Sequence, residues 1–243
     1  MNTSVQDAYE ALYTGKSYQH EMGLVDVVLD RHLPPAGPGK KKPARQVLEI
    51  GCGPGLRLAV LRQMHGKYEP EGLDYDPAML ALARRRVRGV PLHEGDMRTF
   101  SLETRYDAIL CLFGVIGYLK NLADLTTALR NMREHLVPKG VFLLEPWLSP
   151  DAVINGYLHA DSACRNGLEV TRMTYTRVVG NKSRIDVHYL IGDKSGICHV
   201  DECREMTLFT DEEYRTGLRD AGFGDVVLDA YGPQGRGLYT AQV

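Results

Sequence analysis

The sequence predicts an α/β protein in which a parallel sheet carries helices on both faces, with an antiparallel β-sheet inserted after the fifth strand. Two observations predict the parallel part. Mostly apolar runs such as Val47–Ile50, Asp107–Leu112 and Val141–Leu144 lack the alternation of half-exposed strands and suit strands buried on both faces. Between them lie segments with apolar residues at threes and fours, so strand and helix alternate. A third observation predicts the insertion: from about 168 to 209 no helical periodicity is evident, and β-rich pieces are separated by turn residues.

From about Glu21 to Leu33, the residues Leu24, Val25, Val28 and Leu29 share a helical face. Residues 34–43 read as a loop, because their prolines and glycines cannot continue a helix, and the lysines within them read as a solvated connector. Val47–Ile50 is a strand, Gly51-Cys52-Gly53-Pro54-Gly55 a tight turn, and a helix begins at Leu56. A second strand, Tyr68–Leu73, closes on Asp74. Asp76-Pro77 then reads as an N-cap with proline at the first helical position, followed by a buried stripe of Met79, Leu80, Ala83 and Val87. A short apolar segment leads to Gly95-Asp96-Met97, and Tyr106–Phe113 is the next strand. Leu122, Leu125, Leu129, Met132 and Leu136 predict a helix ended by Pro138-Lys139-Gly140, with strand Val141–Leu144 running into Glu145. The insertion, bounded at about 150–210, divides at Gly180-Asn181 and Gly192-Asp193. Thr210 with Glu213 forms a capping box for a helix ending near Gly222. Val226–Ala230 and Leu238–Val243 are the last strands, joined by 232–237.

Length and composition suit one domain running 1–243, of which 1–45 forms an N-terminal helix region. A net charge of −2 gives no general reason to expect nucleic-acid or membrane partners. There is no 18-residue apolar run, and the polar start lacks a signal-peptide core. Five cysteines without metal-ligand spacing read as reduced thiols of a cytoplasmic protein that binds no metal.

The glycine turn carries the functional signal. It lets backbone come close to a nucleotide-like ligand, and Asp74, about 20 residues past it, can reach ribose hydroxyls. The pattern is E-x-G-x-G-x-G, starting at Glu49, not the G-x-G-x-x-G that seats a pyrophosphate. It resembles motif I of class I S-adenosylmethionine methyltransferases, whose turn faces an amino-acid tail. The resemblance implies a Rossmann-like fold of seven strands, the final one reversed. It also implies S-adenosylmethionine as cofactor, with Asp74 on the ribose, the Asp96 carboxylate on the adenine amine and the Met97 backbone against the ring. The wider cofactor set implied is Tyr18, Glu49, Gly51, Gly53, Tyr75, Met79, Leu112 and Phe113.

Blocks outside that motif extend the resemblance over nearly the whole chain, to the amino-sugar N,N-dimethyltransferases of antibiotic biosynthesis, the desosamine and mycaminose type. They include 13–18, Ile116-Gly117-Tyr118-Leu119, Glu145-Pro146-Trp147, Val187-His188-Tyr189, Thr207-Leu208-Phe209 and 232–238. Where that subgroup usually has two serines after Phe113, this chain has Gly114 and Val115.

The implied reaction is methyl transfer to an amine of a small molecule, an amino sugar or its nucleotide-linked form. Such a displacement needs alignment and a neutral amine more than it needs an oxyanion site. Tyr13, Tyr118, Glu145 and His188 are the candidate acceptors or orienters. Tyr13 and Tyr18 fall, by resemblance, on a lid over the cofactor, with aromatic packing as the alternative. Glu145 is either a ligand group at a strand end or a loop-ordering carboxylate. His188 lies on an alternating strand, and a surface role stays open. Trp147 is read as a pocket wall or as core. Arg236, between two glycines, reads as an exposed clamp for an anion or as a solvated turn. A methyltransferase acting on oxygen or carbon, a non-catalytic nucleoside-binding module and a dehydrogenase remain as competing readings. The inserted sheet is a possible homodimer surface.

Overall fold

A computed structural model describes residues 5–13, 15–33, 44–64 and 66–243. The loop read at 34–43, with its lysines, lies outside the described residues. The chain divides into two compact units. One is formed by Met1–Lys16 with Ser149–Leu208, the other by Ser17–Leu148 with Phe209–Val243. The single span expected for 1–243 is therefore a chain that leaves the larger unit after Leu148 and re-enters it at Phe209.

The larger unit contains α2 (Tyr18–His32), β1 (Arg45–Ile50), α3 (Leu56–Gln63), β2 (Tyr68–Asp74), α4 (Pro77–Arg86) and β3 (Leu92–Glu94). These are followed by β4 (Tyr106–Cys111), α5 (Leu122–Glu134), β5 (Leu136–Leu144), α6 (Asp211–Asp220), β10 (Gly224–Asp229) and β11 (Leu238–Gln242). Its sheet has seven strands in the order β10-β11-β5-β4-β1-β2-β3, and β11 runs antiparallel to both neighbours. The expected reversed last strand is present. Burial on both faces explains the mostly apolar strands. Leu48, Ile50, Ile109, Cys111, Phe142 and Leu144 face a core built with α5 and α6. Val47, Ala108, Leu110, Val141 and Leu143 face another built with α2 and α3.

Local details depart from the sequence reading. Helix α2 starts at Tyr18, and its buried stripe is Tyr18, Glu21, Met22, Val25 and Leu29. Leu24 is exposed, because it sits about 100° around the helix from Val25. Helix α5 stops at Glu134, and Leu136 already pairs with Tyr106 in the sheet. Pro138-Lys139-Gly140 therefore lies in β5, at a register shift and with Lys139 at φ 64°, and does not terminate a helix. The capping box of α6 is formed as expected, Thr210 and Glu213 bonding reciprocally.

The smaller unit holds α1 (Val5–Tyr13) and an antiparallel sheet in simple sequence order. Its strands are β6 (Leu158–Arg165), β7 (Leu168–Val179), β8 (Lys182–Asp193) and β9 (Gly196–Thr207). Strand β6 escaped the sequence reading because most of its residues are exposed, leaving little apolar alternation to see. Ala8 and Ala11 of α1 pack with Val170, Val187, Tyr189 and Ile191 on one sheet face. Among the described residues no helix is long and apolar enough to cross a membrane.

Candidate cofactor and acceptor site

The glycine turn after β1 is left-handed at three residues, with Gly51, Gly53 and Gly55 at φ 66°, 53° and 75°. Only glycine adopts such a run without strain. A side chain on Gly51 would strike Val115 at 2.8 Å, whereas one on Gly53 would meet nothing within 4 Å. The turn thus presents bare backbone to open space. Asp74 ties β2 to this turn: its Oδ2 accepts from the Gly53 N–H at 2.6 Å and its Oδ1 from the Asp76 N–H at 2.9 Å. Burial raises the Asp74 carboxyl above its ordinary range, against those two backbone donors.

Glu49 is 1% exposed, on the strand leading into the turn. Its Oε1 accepts from Arg57 Nη1 at 3.2 Å, and its Oε2 has no hydrogen-bond partner among the described residues. Burial pushes this carboxyl up to about 7, with Arg57 opposing and Glu21 and Asp74 adding to the rise. Arg57 also donates from Nε to Glu21 Oε1 at 3.0 Å, and its guanidinium lies 5.6 Å from the Tyr18 ring centre and 5.3 Å from that of Phe113.

The second acid, Asp96, is engaged by Arg98, whose Nη2 donates to Oδ2 at 2.6 Å and whose backbone N–H donates to Oδ1 at 2.8 Å. That guanidinium holds the Asp96 carboxyl below its usual value. Met97 is partly buried against the core, and its carbonyl accepts from Asn131. Tyr75 is 76% exposed, Met79 half-buried, and Leu112 is buried in the core.

At the ends of β4 and β5 the chain builds a second cluster. Phe113 is a non-glycine residue at φ 63°, and its N–H donates to Glu145 Oε2 at 2.6 Å. Glu145 is fully buried, and its Oε1 accepts from Arg236 Nη2 at 3.2 Å. The Arg236 guanidinium sits 5.4 Å from the Phe113 ring centre and 5.3 Å from that of Trp147. The side chain is 15% exposed, so the expectation that flanking glycines leave it open to solvent is corrected. Two aromatic rings and a carboxylate enclose it. Of the two expectations for Glu145, its contacts fit the loop-ordering carboxylate. At Gly114, with φ 70°, a Cβ would lie 2.8 Å from Trp147 Cε3. Tyr118, on a 3₁₀ turn spanning Val115–Tyr118, is 52% exposed.

The remaining expected residues belong to the smaller unit. The Tyr13 hydroxyl accepts from Arg172 Nη1 at 2.8 Å, and Arg172 is itself held by both oxygens of Asp161. His188 is exposed and stacks on His199, with Nδ1 and Nε2 3.0 Å apart. Neighbouring Val187 and Tyr189 point into the unit's core.

The larger unit therefore brings Tyr18, Glu49, Asp74, Phe113, Glu145, Trp147 and Arg236 into two linked clusters that share the Phe113 ring. Sequence reasoning missed Glu21, Arg57 and Arg172. The one available signal was charge placed on an otherwise apolar helical stripe, as Glu21 is on α2.

The site's polar groups fit a nucleoside carrying an amino-acid tail. A side-chain-free turn faces open space, a carboxylate stands at each of two strand ends, and one buried acid keeps a spare oxygen. Comparison with known proteins agrees. A methyltransferase domain family matches residues 47–140. The dTDP-3-amino-3,6-dideoxy-alpha-D-glucopyranose N,N-dimethyltransferase of Streptomyces fradiae is 37% identical over 97% of this chain and 89% of its own length. The crystal structure of Streptomyces venezuelae DesVI, 32% identical, superposes with a TM-score of 0.90 over 99% of both chains. The S-adenosylmethionine-bound amino pentose methyltransferase of Micromonospora echinaspora, involved in calicheamicin biosynthesis, is 36% identical with a TM-score of 0.82, over 100% of this chain and 98% of that one.

Proposed function

Because this chain belongs to the amino-sugar N,N-dimethyltransferase family of S-adenosylmethionine-dependent enzymes, we propose that its acceptor is the amine of a nucleotide-linked amino sugar in antibiotic biosynthesis. One observation carries the reading. The 37% identity runs over 97% of the chain and so includes the antiparallel sheet, whereas the general methyltransferase match stops at residue 140. The likeness to an amino-sugar N,N-dimethyltransferase therefore extends well past the general methyltransferase match.

S-adenosylmethionine supplies an electrophilic methyl on a sulfonium, so the protein's work is to bind, align and keep the amine neutral. In this reading Gly51 and Gly53 lie against the methionine tail, with Tyr18 helping to hold it. Asp74 takes the ribose through the lone pairs its two backbone donors leave over, and Asp96 takes the adenine amine. Exposed Tyr118 orients the acceptor amine, and Trp147 forms a wall. Arg236 meets an anionic part of the substrate such as a phosphate, with Glu145 fixing its direction.

The test is a panel of dTDP-linked amino sugars, the same sugars without nucleotide, and simple alkyl amines. Each is incubated with S-adenosylmethionine and followed by mass spectrometry. Mono- or dimethylation of the nucleotide-linked amine above the others is the expected result. Transfer to a hydroxyl, or equal rates across the panel, overturns it.

We further propose that the protein works in the cytoplasm as a homodimer through the antiparallel sheet. Leu158, Met173, Tyr175, Leu190 and Ile197 stand exposed on one face of that sheet, which supports the reading. A monomer in sedimentation equilibrium at micromolar concentration would dismiss it.

A further inference from the structure

The 3₁₀ turn Val115–Tyr118, with Gly114 before it, borders both clusters of the larger unit. Val115 covers the glycine turn after β1: a Cβ on Gly51 would come within 2.8 Å of Val115 Cγ1 and 3.0 Å of its Cβ and Cγ2. Gly114 borders the other cluster, since a Cβ there would lie 2.8 Å from Trp147 Cε3 and 3.4 Å from Arg236 Nη1. Two consecutive residues thus join the turn assigned to the methionine tail to the guanidinium assigned to the acceptor's anionic end. The stretch between is apolar. From Phe113 to Tyr118 the chain reads Phe-Gly-Val-Ile-Gly-Tyr, so the Tyr118 hydroxyl is the one side-chain hydrogen-bonding group it contains. Ile116 is fully buried. Val115 is half-buried at the edge of the core and is the aliphatic side chain of this stretch that stays accessible.

An acceptor whose anionic end meets Arg236 while its amine meets the methyl donor lays its ring carbons across this stretch. Val115 stands at the cofactor end of it, so the carbon over Val115 is the one beside the amine on the side away from the nucleotide. A hydroxyl on that carbon gives up its hydrogen bonds to water and finds two methyl groups in return. A methylene there loses nothing and gains by leaving water. Resting on the reading of the acceptor as a nucleotide-linked amino sugar, we propose that Val115 is a specificity-determining residue that selects a sugar deoxygenated at the ring carbon next to the amine, on the side away from the nucleotide. Its methyls hold no proton and no charge, so Val115 decides which sugar is methylated and takes no part in the transfer.

The test measures kcat/KM of the full chain, at saturating S-adenosylmethionine, for two dTDP-linked 3-amino sugars. The 3,4,6-trideoxy and 3,6-dideoxy forms differ in that one hydroxyl. The wild type is expected to favour the trideoxy sugar by about 10- to 100-fold, the range an apolar wall achieves against an added hydroxyl. Val115→Thr keeps the shape of the side chain and replaces one methyl by a hydroxyl. It should cut that preference by about fivefold or more, chiefly by raising kcat/KM for the dideoxy sugar. Equal kcat/KM for the two sugars in the wild type overturns the proposal, needs no variant, and leaves the acceptor class standing. An unchanged preference in active Val115→Thr overturns it as well, and a raised KM for S-adenosylmethionine alongside would assign Val115 to the cofactor. Methylation of neither sugar strikes at the nucleotide-linked acceptor itself, and the proposal falls with it.

Discussion

Two buried glutamates at the ends of β1 and β5, the strands on either side of β4, are built alike and used differently. Glu49 on β1 and Glu145 after β5 are both essentially unexposed. Each pairs with an arginine, and both arginines lie against the same ring, Arg57 at 5.3 Å and Arg236 at 5.4 Å from the centre of Phe113. Glu145 has an arginine to itself and spends its second oxygen on the Phe113 N–H, so both oxygens are satisfied. Glu49 shares its arginine with Glu21 and keeps one oxygen without a hydrogen-bond partner among the described residues. A saturated buried carboxylate orders the chain around it, whereas an unsaturated one stores a need that a ligand or a proton can meet.

The largest expected effect comes from breaking the saturated site. Glu145→Ala leaves the Arg236 guanidinium without its counter-charge and the Phe113 N–H, at positive φ, without its acceptor. Urea denaturation at pH 7 should show a loss of about 3–5 kcal/mol. A loss under about 1 kcal/mol would make Glu145 a freely replaceable residue and remove one side of the contrast.

Next is the pH dependence of the unsaturated site. An acid whose folded value lies above its unfolded one stabilises the fold below the unfolded value, and that contribution is lost as pH rises through the folded one. For Glu49 the window runs from its ordinary 4.5 to about 7. In the cofactor-free protein, stability should fall across it by about 3 kcal/mol at most. In Glu49→Gln that slope should disappear, so the variant should match or exceed the wild type at pH 7.5. Parallel stability curves for the two proteins from pH 5 to 7.5 would place the slope on another group.

Asp74 tests the turn that lies beside Glu49. Asp74→Ala removes the acceptor of the Gly53 and Asp76 N–H groups. It should weaken S-adenosylmethionine binding by about 1–3 kcal/mol in calorimetry. The smallest effect is expected at Tyr118, half-exposed on its 3₁₀ turn. If orientation dominates, Tyr118→Phe should lower kcat by about tenfold or less, with cofactor affinity unchanged. Complete loss of turnover would instead make the hydroxyl a general base.

The turn after β1 was readable because glycine's freedom is local: three left-handed residues in five need glycines, and the glycines are visible in the chain. The turn after β4 was not. Phe113 reaches nearly the same φ as Gly51 with no glycine at its position, and what holds it there is Glu145, 32 residues away. Arg57 was hidden for the same reason. On its own helix it reads as an ordinary polar position, and its partners come from α2 and β1. Glu145 and Arg236 were both named from the sequence, but their contact spans 91 residues and no spacing rule announces it.

By itself, then, the sequence determined what local chemistry encodes: buried parallel strands from mostly apolar runs, the glycine turn, the acids Asp74 and Asp96, the capping box at Thr210, and the family to which those blocks belong. Only the tertiary structure decided which carboxylate is satisfied and which is not. Hydrogen-bond saturation depends on groups brought together from distant parts of the chain. Two glutamates that look equivalent at their strand ends differ only in how many partners the fold delivers to them.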